Sequence, residues 1–593
     1  MPELGSEAYM GPSVKRARIA CVAVFVGYHA AWLLSVPHVV LDDFLVLFVS
    51  AVIWRAAAIV PWRVAQVVVG LVAAAACLPL GFVVYGMQRL DALLMAIFVR
   101  SPGYAWVLAS HVVSPWRMYL FACVVTVGVA VLLRYARWPL PSRYGRRFFL
   151  LGICVWAWRG SAALSPDLTL MVGAHTFYRR GHEAPELPPP GLHRAPPPQA
   201  AAKNVRGRAV VWILHESVGA SMVAPWTASS DAQELALWAQ QHPERAVFFL
   251  NAVSQAAHTP ISGPSMFTGL APDASRTDYA SAAFAWHWLD PSLQRSVFVS
   301  PQLYGWVNLD KFYFGSRPPA HVHTAEHMQG TPLNDGGVPD QEATDLALQI
   351  SERVWREYGE LYLFVQYNAT HQPCWHPGVK DPSASSYDPS LERDLRCKEA
   401  VHFVHREELR LFDGLERLGI LDQAWVISTS DHGESISAGA LNRGKSVDEE
   451  VLRVPLMIAA PKTWAAAHPE PWALLQANAE ARVSNADILP TVIDALANQL
   501  APFELWMGQS LLQPVRKDRT LYACTDVPIR RWPTAGCAVY NGTDKAIVDV
   551  STGQTTWWLT GAKVPTQQAQ PAPAATPQWF RDWSAVHQQK HKP

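Results

Sequence analysis

The sequence predicts an N-terminal bundle of about five transmembrane helices followed by an exported α/β domain. The chain has 593 residues, 50% of them hydrophobic and 25 of them Trp, which is more apolar material than one soluble domain carries. Long apolar runs are concentrated before residue 165. From residue 209 onward, short apolar runs alternate with helix-length segments, which favours an α/β fold.

Two apolar runs, residues 19–41 and 64–87, can cross a bilayer core of roughly 30 Å without carrying a charge. Three further crossings are predicted at residues 44–62, 118–133 and 148–165. The first and last of these three each contain an arginine, which must snorkel or face other helices. No A-x-A cleavage pattern follows the first run, so we expect a retained anchor.

Basic residues predict the orientation of the bundle, because cytoplasmic flanks collect Lys and Arg. The basic segments 13–18, 55–63 and 134–147 fall on one side of the five crossings. We interpret residues 88–117, which also contain arginines, as an interfacial segment. The odd number of crossings then exports everything after about residue 165.

Composition divides the chain into four parts. Residues 1–165 form the predicted membrane domain, and residues 166–208 form a linker that is proline-rich at its end. Residues 209–562 form the predicted catalytic domain. Residues 563–593, rich in Pro, Ala and Gln, are expected to be disordered.

Cysteine usage agrees with export. Four of the eight cysteines, Cys374, Cys397, Cys524 and Cys537, lie outside the predicted membrane helices. Four cysteines allow three pairings, and we favour the two sequence-local ones, Cys374 with Cys397 and Cys524 with Cys537. The alternative is four free thiols. For residues 521–560 we expect a strand pair closed by the second disulfide.

The apolar runs of the exported part predict a parallel sheet covered on both faces. They read AVVWILH, AVFFLNAV, SVFVS, LYLFVQY, AWVISTSD and VPLMIAA. In such sheets ligands bind outside the carboxyl ends of the strands. The strand ends are therefore where functional side chains are expected.

Three of these strand ends carry residues that can hold a metal ion. Glu216 follows the first run, and His371 comes shortly after LYLFVQY. Asp431 is the last residue of AWVISTSD, and His432 follows it. A carboxylate from one strand end, with an Asp and a His from another, supplies most of a tetrahedral Zn²⁺ site with one open position. Gly433 would let the backbone turn away directly after these ligands. Taken singly, such residues more often belong to a turn or to a solvated strand end, and it is their combination that indicates a metal site.

The segment DHGES at 431–435 resembles a hallmark of the inner-membrane phosphoethanolamine transferases, sulfatase-like members of the alkaline phosphatase superfamily. Glu-Ser at 216–217 is similar to the first metal-binding strand end of that family, and HTPISGPSMF at 258–267 resembles its nucleophile segment. With VPLMIAAP and NADILPTVIDAL, the resemblance extends over residues 205–515. It implies an α/β domain of alkaline-phosphatase type in the periplasm.

The resemblance also implies the roles of individual residues. Thr259 is the implied nucleophile, with Ser262 and Ser217 as alternatives. The implied metal ligands are Glu216, Thr259, Asp431 and His432. One Zn²⁺ is expected.

A second metal is left open by two further positions. His371 resembles the family's second-site histidine and would bind donor phosphate or a second zinc. Arg443 stands where the family commonly has a histidine, and an arginine grips phosphate but does not readily bind zinc. The cysteine pair that brackets the nucleophile in many members is replaced by Gln255 and Ser265, so packing is expected to hold that loop.

The activity implied is a two-step transfer. Phosphatidylethanolamine gives phosphoethanolamine to Thr259 and releases diacylglycerol, and an envelope acceptor such as lipid A, a core sugar of lipopolysaccharide or a glucan then takes the group. A phosphoglycerol transferase, a phosphodiesterase and a non-catalytic membrane-anchored scaffold are the alternatives. A sulfatase would need a C/S-x-P-x-R segment, which does not occur at Thr259 or Ser262. No basic patch on the exported side favours nucleic-acid binding.

Overall fold

The computed structural model describes residues 208–227, 232–304, 309–328, 337–371, 374, 376, 389–434, 446–497, 506–516, 518–525, 536–549, 554–560, 567–571, 573 and 575–590. The chain divides into two units, Met1–Ala184 and Pro185–Pro593, and every described residue belongs to the second. The predicted membrane helices and nearly all of the linker lie outside the described residues. Within the described ranges, no helix combines the length and the apolar character that a bilayer crossing requires.

The strands of the described ranges are β1 (Ala209–His215), β2 (Ala246–Phe248), β3 (Ala252–Val253), β4 (Ser296–Val299), β5 (His321–His323), β6 (Leu361–Tyr367), β7 (Ala424–Ser430), β8 (Leu456–Ala459), β9 (Val483–Ser484), β10 (Thr520–Cys524), β11 (Gly536–Asn541), β12 (Asp544–Asp549), β13 (Thr555–Thr560) and β14 (Gln567–Gln570).

The α-helices of the same ranges are α1 (Glu234–Gln241), α2 (Thr259–Thr268), α3 (Arg276–Ser281), α4 (Ala285–Leu289), α5 (Leu309–Phe314), α6 (Asp340–Tyr358), α7 (Pro389–Arg417), α8 (Glu449–Leu452), α9 (Trp464–Ala467), α10 (Pro469–Ala477), α11 (Ile488–Ala497) and α12 (Gln578–Lys590). Short 3₁₀ turns occur at Ala220–Met222, Ala325–His327, Leu421–Gln423, Asn478–Glu480 and Asn485–Asp487.

A seven-stranded sheet in the order β2-β8-β7-β1-β6-β4-β5 forms the centre of the fold. Its five inner strands are buried on both faces because helices cover each side. Trp212 and Leu214 of β1 pack into a cluster with side chains of α2, α4 and α11. Val211 and Ile213, which point the other way, pack against α6 and α7. This is the layered α/β arrangement expected for continuous apolar strands.

The central strands pair in a register that aligns their carboxyl ends. His215 at the end of β1 is paired with Tyr367 of β6 and with Ser430 of β7. All three strands run parallel. The residues that follow each strand therefore emerge at one edge of the sheet, as predicted for a binding site.

Two details of the predicted sheet are wrong. β8 runs antiparallel to both β7 and β2. The segment AVFFLNAV is split into β2 and β3, and β3 leaves the sheet to pair with β9. A short buried apolar run has the same composition in either direction, so the sequence pattern does not encode strand polarity.

A second sheet follows the first in the chain. β10 to β14 form a five-stranded antiparallel sheet in sequence order. The predicted strand pair in residues 521–560 is confirmed as β10 and β11, and the sheet continues to residue 570. Both predicted disulfides are confirmed: Cys374 is bonded to Cys397 and Cys524 to Cys537.

The prediction of a disordered tail from residue 563 is wrong for two segments, β14 and α12. Phe580 and Trp583 of α12 are buried against the disulfide of the second sheet, and the ring of Phe580 lies 5.2 Å from that of Trp557. The tail was predicted to be disordered because its average hydrophobicity is low. A few aromatic residues are nevertheless enough to order these segments, since each buries a large apolar area.

A buried ion pair joins the second sheet to the rest of the domain. Lys545 of β12 donates to the Glu449 carboxylate of α8 at 2.9 Å, and both side chains are fully buried. The Tyr540 hydroxyl donates to the same carboxylate oxygen at 2.8 Å. Burial lowers the pKa of Lys545, and Glu449 opposes that shift.

We expect Lys545→Met to lower the free energy of unfolding by about 3–5 kcal/mol, because it leaves the Glu449 charge buried without its ammonium partner. The double variant Lys545→Met, Glu449→Leu should recover most of this loss. Chemical denaturation of the full-length protein in detergent measures both. Arg516→Met, in the exposed pair with Asp518, is the control and should leave the free energy of unfolding nearly unchanged. A Lys545→Met variant as stable as this control would contradict the assignment.

Candidate metal and nucleophile site

Three side chains predicted as metal ligands meet at the carboxyl edge of the central sheet. Glu216 follows β1, and Asp431 and His432 follow β7. One ligand atom from each lies within 4.8 Å of the others, and all three residues are buried. The structure thus brings together residues that are more than two hundred positions apart in sequence, because their strands are neighbours in register.

The imidazole of His432 is oriented by its own turn. Its Nδ1 lies 2.8 Å from the carbonyl oxygen of Gly433, which can only accept, so Nδ1 carries the proton. With a metal ion bound, the other ring nitrogen, Nε2, would present its lone pair to the site. It lies 3.6 Å from Glu216 Oε1 and 3.4 Å from Asp431 Oδ2. This is the tautomer that metal-binding histidines adopt.

The Asp431 carboxylate is held in place through one oxygen. Oδ1 accepts from the backbone N–H of Ser217 at 3.0 Å and from that of His432 at 2.8 Å. These two bonds leave Oδ2 facing the His432 ring. The backbone carbonyl of Asp431 accepts from the Ser254 hydroxyl, which attaches the strand end to the segment before the nucleophile.

Thr259 is the first residue of α2 and presents its hydroxyl to the same centre. Its Oγ1 donates to the Glu216 carboxylate, with Oε1 at 2.9 Å and Oε2 at 3.2 Å. The same oxygen lies 3.4 Å from His432 Nε2. The capping position belongs to His258, and no side-chain cap bond forms there. The Thr259 hydroxyl is therefore not a helix cap. The alternative Ser262 directs its hydroxyl to the His258 carbonyl at 3.1 Å.

Gly433 is required by close packing. A Cβ at this position would collide with the Glu450 carbonyl oxygen and would lie 2.9 Å from the Cα of Gly219. Its N–H donates to the Val451 carbonyl at 2.6 Å. The sequence predicted a backbone turn as the reason for a glycine here. The structure adds a second reason, which is that the chain at Gly433 closely approaches the segments at Gly219 and Glu450.

Ser217 adopts a left-handed backbone conformation with φ of 63°. Such a conformation costs a non-glycine residue roughly 1–2 kcal/mol. It turns the Ser217 N–H toward Asp431, and the hydroxyl donates to Glu216 Oε1 at 3.1 Å. One residue therefore connects two predicted metal ligands from different strands.

The second-site residues have different outcomes. His371 is buried at the same edge of the sheet, directly after Thr370, whose hydroxyl donates to the Glu216 carbonyl at 2.6 Å. The ligand group found among the described residues does not include His371. Arg443 lies outside the described residues.

Sequence reasoning missed Gln366, whose side-chain amide donates to Glu216 Oε2 at 3.1 Å. The signal was a polar residue inside the otherwise apolar strand β6, in register with Leu214 of β1. It also missed Asn485, which donates to the Ser430 carbonyl at 2.8 Å just before the Asp431 ligand. Both are buried polar residues next to a site, which is where such residues are expected.

A family model for sulfatases matches residues 208–498. Residues 208–498 are a sulfatase-family domain. The match begins at β1 and ends after α11, so it contains the whole central sheet and all the site residues described above. The resemblance drawn from the motifs is thereby confirmed at the level of the sulfatase-like superfamily. No curated protein matches the sequence.

Solved structures share this fold. The integral membrane lipooligosaccharide phosphoethanolamine transferase A (EptA) from Neisseria meningitidis matches with a TM-score of 0.55 and 14% identity, over 84% of this chain and 96% of that one. The C-terminal periplasmic domain of EptC from Escherichia coli, in complex with Zn, matches with a TM-score of 0.44 and 14% identity, over 57% and 92%. The lipoteichoic acid synthase LtaP from Listeria monocytogenes matches with a TM-score of 0.48 and 14% identity, over 68% and 94%.

At these identities the likeness concerns the fold. Of the three structures, the Neisseria protein alone has a TM-score above 0.5 and supports a shared fold.

The donor set of the sulfatase-family domain fits a divalent metal ion. Two buried carboxylates and an imidazole nitrogen converge with a hydroxyl oxygen, a combination of O and N ligands that suits Zn²⁺. Buried carboxylates need a compensating charge, and a divalent cation supplies it. Each ligand is also held by a second hydrogen bond, as at protein metal sites generally.

We expect added Zn²⁺ to stabilise the wild-type protein, by about 2.7 kcal/mol when the free ion is at one hundred times its Kd. Asp431→Ala and His432→Ala should abolish the stabilisation, because each removes one ligand atom from the group. Thermal unfolding with and without Zn²⁺ is the measurement. His371→Ala separates the two predicted sites: an unchanged shift indicates that the ion binds without this residue. A full shift in Asp431→Ala would exclude the site.

Ser217→Gly and Ser217→Ala should both lose the hydroxyl bond to Glu216, while only Ala keeps the cost of the left-handed backbone. We therefore expect the Gly variant to be more stable than the Ala variant by about 1 kcal/mol. Chemical denaturation of the two variants side by side measures this difference. Equal stabilities would show that the left-handed conformation is not retained in solution.

Proposed function

We propose that this chain is a membrane-bound, metal-dependent transferase that moves phosphoethanolamine from phosphatidylethanolamine, through a covalent intermediate on Thr259, to an acceptor in the bacterial envelope. The observation that carries the proposal is the position of the Thr259 hydroxyl. It lies within hydrogen-bond reach of Glu216 and His432 inside the ligand group. A hydroxyl so placed has a proton acceptor beside it, as nucleophilic catalysis requires.

The first step is attack of the Thr259 oxygen on the donor phosphorus. The bond from phosphorus to the diacylglycerol oxygen breaks, and the Thr259–phosphorus bond forms. Glu216 Oε1 accepts the hydroxyl hydrogen bond at 2.9 Å and is the atom placed to hold the proton. The departing diacylglycerol oxygen takes up one proton for the one that the Thr259 hydroxyl gives up, so that charge and protons balance.

The second step regenerates the enzyme. An oxygen of the acceptor attacks the phosphorus on Thr259, the threonine oxygen leaves, and the acceptor's proton returns to it through the same carboxylate. Thr259, Glu216, Asp431 and His432 are all buried, so the reacting groups are shielded from bulk water. This shielding favours transfer to a bound acceptor over hydrolysis.

Zn²⁺ held by Glu216, Asp431, His432 and Thr259 would lower the pKa of the attacking hydroxyl and neutralise charge on the phosphoryl oxygens. Thr259 also begins α2, where the helix dipole favours negative charge. Both effects act at the position where charge develops during phosphoryl transfer.

A lipid donor accounts for the predicted membrane helices. The apolar runs before residue 165 would keep the domain at the surface that holds its substrate. The Neisseria neighbour is itself an integral membrane phosphoethanolamine transferase, and its match covers most of this chain. We therefore place the catalytic domain on the periplasmic side of a bacterial inner membrane.

Mass spectrometry of the full-length protein, incubated in detergent with Zn²⁺ and phosphatidylethanolamine, tests the proposal. We expect a phosphoethanolamine-sized increment on the peptide that carries Thr259. Thr259→Ala should lose it completely. Ser262→Ala is the matched control, because its hydroxyl lies one turn away and is bonded to a carbonyl, and it should keep the increment.

The other outcomes are equally informative. An increment with phosphatidylglycerol, and none with phosphatidylethanolamine, would reassign the protein to phosphoglycerol transfer. No increment with either lipid would favour a non-catalytic scaffold. An increment that persists in Thr259→Ala would show that another residue is the nucleophile.

A further inference from the structure

The side chain of Gln366 lies in a buried network beside the Glu216 carboxylate. Its Nε2 donates to Glu216 Oε2 at 3.1 Å and to Gln302 Oε1 at 2.9 Å. Its Oε1 accepts from the Ser300 hydroxyl at 2.9 Å and from the Tyr304 hydroxyl at 2.6 Å. We call Ser300, Gln302, Tyr304 and Gln366 the amide cluster. All four residues are buried.

The surroundings of Gln366 settle which end of its amide faces Glu216. An ionised carboxylate can only accept, so the neighbouring amide atom must be the NH₂ group. Burial, and secondarily Glu216, raise the pKa of Tyr304 well above its ordinary value, so its hydroxyl stays neutral and donates to the amide oxygen. The cluster therefore fixes the amide at both ends.

We propose that Gln366 is a positioning residue that fixes the Glu216 carboxylate for the metal ion and for Thr259. The inference rests on the proposed function. Glu216 Oε1 accepts from Thr259 and from Ser217, while Oε2 accepts from Gln366 and, at 3.2 Å, from the same Thr259 hydroxyl. The terminal torsion of a Glu side chain is broad and nearly two-fold, so a bond on each side of the carboxylate is needed to select one orientation.

A neutral amide suits this role better than a charged donor. A Lys or Arg at position 366 would form a strong ion pair with Glu216 and compete with the cation for its charge. The amide donates a hydrogen bond and leaves the carboxylate charge available. Strand β6 supplies this donor because Gln366 is paired with Leu214, two residues before Glu216.

The test compares Gln366→Leu, which keeps the approximate size and loses the donor, with Thr344→Val, which removes a buried hydroxyl that contacts Tyr367 and the Asp340 carbonyl and lies outside the amide cluster. Three quantities are measured on the full-length protein: the Zn²⁺ Kd by chelator competition, the rate of Thr259 labelling, and the unfolding midpoint without metal. We expect Gln366→Leu to raise the Kd by about 10–100-fold and to slow labelling. Thr344→Val should leave the Kd unchanged.

A Gln366→Leu protein with wild-type Kd and labelling rate would overturn the inference, as would equal losses in Thr344→Val. If Gln366→Leu does not fold, Tyr304→Phe decides, because it frees the amide oxygen without touching the carboxylate. That variant should raise the Kd in the same direction by a smaller factor, and an unchanged Kd would overturn the inference. The wild-type protein could also bind Zn²⁺ more tightly than Gln366→Leu and yet never be labelled. That result would refute the proposed transfer, while the positioning role of Gln366 would stand.

Discussion

The site depends on the in-register pairing of β1 with its parallel neighbours β6 and β7. Because each of these strands packs against helices on both faces, a shift of one residue would exchange the side chains of the two faces and draw a polar strand end into the sheet. The register brings His215, Tyr367 and Ser430 side by side, so the residues after them emerge together. Burial of apolar strands thus fixes the distance between Glu216 and Asp431, and no direct attraction between two carboxylates is needed to explain it.

Bringing Glu216 and Asp431 together costs free energy locally, and contacts of the surrounding structure offset that cost. Ser217 is held in a left-handed conformation, and the carboxylates of Glu216 and Asp431 are withdrawn from water. On the opposite face of β1, His215 bonds to Glu408 of α7 at 2.8 Å, which anchors the strand just before its turn. The site is therefore organised before substrate binds, and electrostatic catalysis is effective in that condition.

The sequence predicted the parts of the site that are adjacent in the chain, and the strands that carry them. The Asp431–His432 pair and the Cys524–Cys537 disulfide are local, so spacing alone was informative. The direction of β8 and the contact of Gln366 with Glu216 depend on strand order and pairing, which composition does not encode. Family resemblance supplied Thr259, because a threonine at a helix start is by itself most often a cap.

The segment before Thr259 is held by backbone and side-chain hydrogen bonds in place of a disulfide of its own. Gln255 and Ser265 stand at the positions where the resemblance drawn from the sequence leads one to expect a disulfide, and packing alone was expected to hold this loop. In the structure the Gln255 carbonyl accepts from the N–H of Cys524 at 3.0 Å, and the Ser265 hydroxyl bonds to the Tyr279 hydroxyl. The disulfide that stiffens this region lies one strand away, in the β10–β11 hairpin. A cross-link in a neighbouring hairpin can restrain the nucleophile through backbone pairing, so its absence from the loop itself is no argument against a catalytic Thr259.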